Sequence, residues 1–216
     1  ALKDLNIHHD DNRPSSLRLL RGRLEANLSG LLGPSIAGDI IDSYLPFSIV
    51  ARHGEAAAEQ WAAGVVANFA RTPQSNDTGQ IRAVASGECG IAIANTYYLA
   101  RLAASEDPKD QAVISAVGIV FPDQGGNGTH VNISGAGLVK TAPNPENAIR
   151  FLEYLASDEA QLLFANGNYE YPAVPGLAAT SAVVALGDFG EDSINTSELG
   201  VNQGAALMVF DRAGWK

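Results

Sequence analysis

The chain has 216 residues, enough for one sizeable core or two small lobes. Hydrophobic residues make up 46% and charged residues 18%, an ordinary balance for a globular protein, with a net charge of -10. That acidity speaks against nucleic acid, whose phosphates need a basic surface, and against a polybasic membrane anchor.

Ser15 or Ser16 caps an expected helix carrying Leu17, Leu20, Leu24 and Leu28, with Arg18, Arg21 and Arg23 on other faces. Gly30 to Gly38 is rich in turn formers and reads as a connector. A helix is expected from Glu55 to Phe69, with Ala58, Trp61, Ala62, Val65 and Phe69 on one face, broken at Thr72-Pro73. Asp77 is expected to cap a second helix through Val84, with Gly87 as its stop. Cys89 is the single cysteine, so it forms no internal disulfide and supports no Cys-based metal framework. Beside an apolar run it reads as a buried, inert thiol.

Residues 90–94 read as a narrow buried strand, with Ile91 and Ile93 alternating with small residues. Asn95 or Thr96 then caps a helix holding Tyr97, Tyr98, Leu99, Ala100 and Leu102. Asp107-Pro108 opens a further helix, and Val117 to Phe121 reads as a strand. Gln124 to Gly128 is a flexible loop without the Lys and Ser/Thr of a phosphate-binding loop. Thr129 to Val139 alternates as a strand, in which Gly135 and Gly137 would allow close backbone approach. His130 within it reads as a hydrogen-bonded structural residue. Asn144-Pro145 starts a helix striped by Ile149, Leu152 and Leu155, and Ser157 caps the next, through Phe164. Residues 166–176 are loop-like, with Tyr169 and Tyr171 as packing or surface aromatics, and a last helix runs from near Val201 to Gly214. Alternating helices and short strands place the chain in the α/β class. No stretch is apolar enough to span a bilayer, no leader is legible, and the start at Ala1 fits a mature exported chain.

The tyrosine pair carries the chemistry. Only six tyrosines occur, and two stand together where a strand hands over to a helix, the position at which open α/β sheets place their ligands. Phenolate oxygen is a hard donor that suits a highly charged cation such as ferric iron. Neighbours in the first helical turn lie only about 100° apart, so both phenols can converge on one ion. The positive end of the helix dipole favours anionic oxygen there. The other reading packs both rings at the helix start with their hydroxyls in water.

Longer segments then bear on the choice. They include Gly64 to Arg71, Asn76 to Ile81, Ser86-Gly87-Glu88, Ala94 to Leu102, Gly128 to Gly135, Asn168 to Pro172 and Ala213 to Lys216. In them the chain resembles the ferric-iron-binding periplasmic proteins that feed ABC importers, especially the cyanobacterial type. The resemblance implies a periplasmic-binding-protein-like (type II) two-lobe clamshell with ferric iron in its cleft and a shortened first lobe. It also implies delivery to ABC importer membrane subunits by a periplasmic monomer. Tyr97 and Tyr98 match that family's paired tyrosine ligands. Tyr44 is either the family's upstream tyrosine ligand or a core residue. His8 and His9 fall where the family often has a His-Tyr pair, and are either ligands or exposed polar residues. Asn95 is assigned to an anion or water completing the coordination shell. The expected divisions are 1–38 as a remnant of the first lobe, 39–135 as the second lobe, and 136–216 returning to the first. The alternative keeps the fold but takes an anion or small organic ligand. The marks of a hydrolase, a zinc helix or a dinucleotide fold are absent from the sequence.

Overall fold

The computed structural model describes residues 44–73 and 76–215, with Tyr44 placed by its backbone. The expectations for residues 1–43, including the leucine-striped helix, His8 and His9, lie outside the described residues. The described chain divides into two compact units, each considered by itself. One holds 95–106 and 134–187, and the other holds residues up to 94, 107–133 and 188–215.

The second of these units is built on α1 (Tyr44–Ala67) and α8 (Thr196–Arg212). Phe47, Val50, Ala58, Leu199, Ala206 and Val209 form its buried core, with Ile49, Ile194 and Phe210 packed against it. Ala58 and Ala206 are fully buried, and their small side chains let the two backbones approach. Phe47 and Val209, essentially out of water, contribute about 1.5–3 kcal/mol apiece. The sequence placed the start of this helix at Glu55, whereas helical backbone begins at Tyr44. The two halves meet at Gly54, with φ 79° and ψ 166°, a region open essentially to glycine alone. At one end Trp61 stacks on Trp215 with centroids 5.9 Å apart, Phe69 meets Trp215 edge-on at 5.4 Å, and Phe210 lies 4.9 Å from Trp215. Arg212 reaches Glu59, its Nη2 lying 2.8 Å from Oε2.

α2 (Asp77–Ala85) and α4 (Pro108–Ala116) pack in the same unit, tied by Arg82 to Asp110 at 2.6 Å. Asn76, rather than Asp77, caps α2, its side chain accepting from Gly79 N–H at 3.2 Å. At the other end Glu88 N–H donates to Ala83 O and Gly87 N–H to Val84 O, the paired bonds of a Schellman stop. Asp107 caps α4 through Lys109 N–H, with Pro108 in the first turn as expected. Cys89 is half-buried, less enclosed than its sequence context suggests.

The expected strands do not form among the described residues. Residues 90–94 and 117–121 are extended or irregular, and Ile91 and Val120 are each 87% exposed. A strand needs a partner's ladder, and apolar alternation cannot supply one. What remains of 129–139 is a single parallel bridge between Thr129 and Glu191. Thr129 N–H donates to Gly190 O and Asp192 N–H to Thr129 O, both at 2.8 Å. Gln124 grips the same place: its Nε2 donates to Gly190 O at 3.0 Å, and Gly190 N–H donates to its Oε1 at 2.7 Å. Arg52 pairs with the Asp192 carboxylate, whose side chain is 5% exposed. The close backbone approach belongs to Gly128, not to Gly135 or Gly137, which have open space around them. Gly128 has φ 96°, and a Cβ there would fall 2.5 Å from Glu191 O. His130 also departs from expectation, because both its ring nitrogens are buried without a hydrogen-bond partner among the described residues.

The other unit contains α3 (Thr96–Ala103), α5 (Pro145–Leu155), α6 (Asp158–Asn168) and the short α7 (Ser181–Val184). α3 packs on α7, burying Ala100 and Leu102 on the first and Val183 on the second. Ser157 caps α6 by accepting from Ala160 N–H at 3.3 Å. α6 runs four residues beyond Phe164, as far as Asn168, and Tyr169 ends it in the left-handed region at φ 61°. α8 likewise begins earlier than expected, at Thr196, because the Asn195 side chain accepts from Ser197 N–H at 3.0 Å.

Candidate metal centre at the tyrosine pair

Asn95 is extended, at φ -72° and ψ 141°, and the helix begins with the next residue. Tyr98 N–H donates to Asn95 O at 3.2 Å, so the backbone of Asn95 closes the first turn. The Asn95 side chain makes no capping bond to this helix. Tyr97 and Tyr98 therefore occupy the second and third helical positions, in the first turn at the positive end of the helix.

The two rings lie against each other. Their centroids lie 4.4 Å apart with planes tilted by 35°. Both tyrosines are half-buried, so the phenols are held in place yet reachable from solvent. Ala100 and Leu102, on the same short helix, are buried against α7 and fix the opposite face. A polar face with two phenols and an apolar face in the core follow from a period of 3.6 residues.

Arg101 is the member of the site that sequence reasoning missed. Its guanidinium carbon lies 5.9 Å from the Tyr97 ring centroid and 5.5 Å from that of Tyr98. The signal was present, since Arg101 stands four residues after Tyr97 and three after Tyr98, the spacings that meet on one helix face. A cation over two aromatic faces is worth about 0.5–1 kcal/mol at an exposed site. It also places a fixed positive charge beside the two rings.

Among the described residues, no group of three or more His, Cys, Asp or Glu could hold a metal ion. Tyr44 begins α1 in the other unit. His130 lies in that unit too, and burial pushes its imidazole below the ordinary value despite the opposing charge of Asp192.

Comparison with known proteins gives the class. Residues 26–190 match the family of bacterial extracellular solute-binding proteins, and the chain belongs to that family. It is 48% identical over 169 residues to iron uptake protein A1 of Synechocystis sp., covering 78% of this chain and 47% of that protein. It is 43% identical over 214 residues to iron uptake protein A2 of the same organism, covering 98% of this chain and 62% of that one. A solved structure of Trichodesmium IdiA (FutA) in complex with iron and citrate superposes with a TM-score of 0.77 at 52% identity. The match covers 83% of this chain and 57% of that one. A ferric binding protein from Campylobacter jejuni gives 0.76 at 37% identity, covering 81% and 55%. The fold is therefore that of the periplasmic ferric-binding proteins, of type II, over the length they share. The chain spans about half to three fifths of the two curated relatives' lengths.

Proposed function

We propose that this chain binds ferric iron through the phenolates of Tyr97 and Tyr98, as cargo for an ABC importer. The observation that carries the reading is the pair itself: two phenol rings 4.4 Å apart at a helix start, under one guanidinium. Hard oxygen donors answer a hard trivalent ion. The accompanying anion sits by Arg101 and Asn95, and the citrate bound in the Trichodesmium structure supports an anion of that chemical type. Ferric iron bound with a tricarboxylate keeps its solubility, and the guanidinium offsets the anion's charge.

Tyr44, and His8 or His9, are the candidates for the remaining coordination positions in this reading. Closure of the two lobes then strips water from the ion, and the closed form is what importer membrane subunits recognise in the periplasm. The protein acts as a monomer. Acid releases the cargo, because protons compete with iron for the same oxygens.

The test is equilibrium binding of ferric citrate, with iron quantified after gel filtration. The wild type retains about one iron per chain, and the Tyr97→Phe/Tyr98→Phe variant retains none while its unfolding curve is unchanged. Equal retention by both proteins overturns the assignment.

A further inference from the structure

The second unit contains a titratable group that the iron site does not use. His130 Nδ1 and Nε2 are both shielded from solvent and have no hydrogen-bond partner among the described residues. A neutral imidazole already carries one N–H that wants an acceptor, and a protonated ring carries two. Its place in the chain gives this consequence. His130 follows Thr129, whose backbone forms the bridge to Glu191. The segment runs on to Ile133, where the chain passes to the other unit at Ser134. The bridging segment begins at Asp188, immediately after the passage at Gly187. The bridge thus forms a joint between two segments of this one unit, with His130 beside it.

The charges acting here come from three elements. Asp192, just past the bridge, faces the imidazole. Arg52 of α1 holds that carboxylate, and Ile194 N–H donates to it at 3.0 Å. Asp123, from the loop before the bridge, acts on Arg52. The Asp192 carboxylate is therefore shared with Arg52 and Ile194 N–H and makes no hydrogen bond to His130 among the described residues.

We propose that His130 makes this joint acid-sensitive: on gaining a proton the ring must reach water or an anion, and the Thr129–Glu191 pairing opens to let it. Burial is the larger influence on the imidazole and lowers its proton affinity, while Asp192 offsets only part of that. The folded pKa lies below the unfolded value of about 6.5, so the pairing is fully stable above that pH. It weakens as pH falls below it, with an opening constant rising by up to about tenfold per pH unit until the folded pKa is reached. The switch needs no metal and stands independently of the iron reading.

Hydrogen exchange of the whole, metal-free chain at pH 7.5 and 5.5, corrected for intrinsic rates, tests it. Peptides spanning 128–134 and 188–194 lose protection in the wild type by several-fold at the lower pH, while peptides from the middle of α8 keep theirs. His130→Phe removes that acid response. Where His130→Phe fails to fold, His130→Gln, which stays polar but does not titrate, gives the same flat profile. A flat wild-type profile, or an acid response that survives in the folded variants, overturns the proposal.

Discussion

Replacing Gly128 by alanine should be among the most damaging single-methyl changes in the described structure. The cost comes from two sources. At φ 96° an L-residue is strained by about 1–2 kcal/mol. The new Cβ would also stand 2.5 Å from Glu191 O, 2.6 Å from Glu191 C and 2.8 Å from Gly190 O. All three are backbone atoms, so no side chain can rotate away. Relief requires moving 190–192, which breaks the two 2.8 Å bonds of the Thr129 bridge, each worth about 1 kcal/mol. The sum is about 3–4 kcal/mol. Urea unfolding followed by tryptophan fluorescence measures it, since Trp61 and Trp215 both report on the same unit as Gly128. Gly135→Ala is the control, because nothing lies within 4 Å of its Cβ position, and it should change stability by no more than about 0.5 kcal/mol. A Gly128→Ala loss under about 1 kcal/mol would refute the close approach.

Trp215→Ala removes contacts with Trp61, Phe69 and Phe210 and should cost about 2 kcal/mol, below the value for a fully buried aromatic because the ring is half-buried. The same urea transitions measure it. Arg101→Gln should leave the fold intact and weaken ferric citrate binding by roughly five- to tenfold, the equivalent of about 1 kcal/mol. The weakening should shrink at high salt, and unchanged affinity would remove Arg101 from the site.

Signals that are local in sequence were readable, and those that depend on a partner were not. Asp107 and Ser157 marked helix starts because a cap's side chain bonds its own next turn, and Asn144-Pro145 did so through the proline in the first turn, Asn144 making no side-chain cap bond. Asn195 offered the same chemistry and was passed over, which put the start of the last helix five residues late. Helical backbone also covers Tyr44 to His53, ahead of the expected start at Glu55, and Gly54 only bends it. Strands were expected over 90–94 and 117–121 from short apolar runs, and Ile91, Ile93 and Val120 stand exposed where no ladder forms among the described residues.

The site followed the same division. The adjacency of Tyr97 and Tyr98 is covalent, so the helix start that turns their rings toward each other could be foreseen from Asn95-Thr96. Arg101 belonged to the same helix face and could have been found by spacing. His130 could not, because its lack of a partner depends on what the rest of the chain places around it. The roles of Tyr44, His8, His9 and Asn95 remain proposals that follow from the tyrosine pair.

One titration tests the central claim most directly. Purified apo-protein is mixed with ferric iron presented as a weak chelate while the visible spectrum is recorded. The account predicts a phenolate-to-iron charge-transfer band that saturates at about one iron per chain and is absent from a folded Tyr97→Phe/Tyr98→Phe variant. A colourless folded wild type, or a band that survives in that variant, would contradict it.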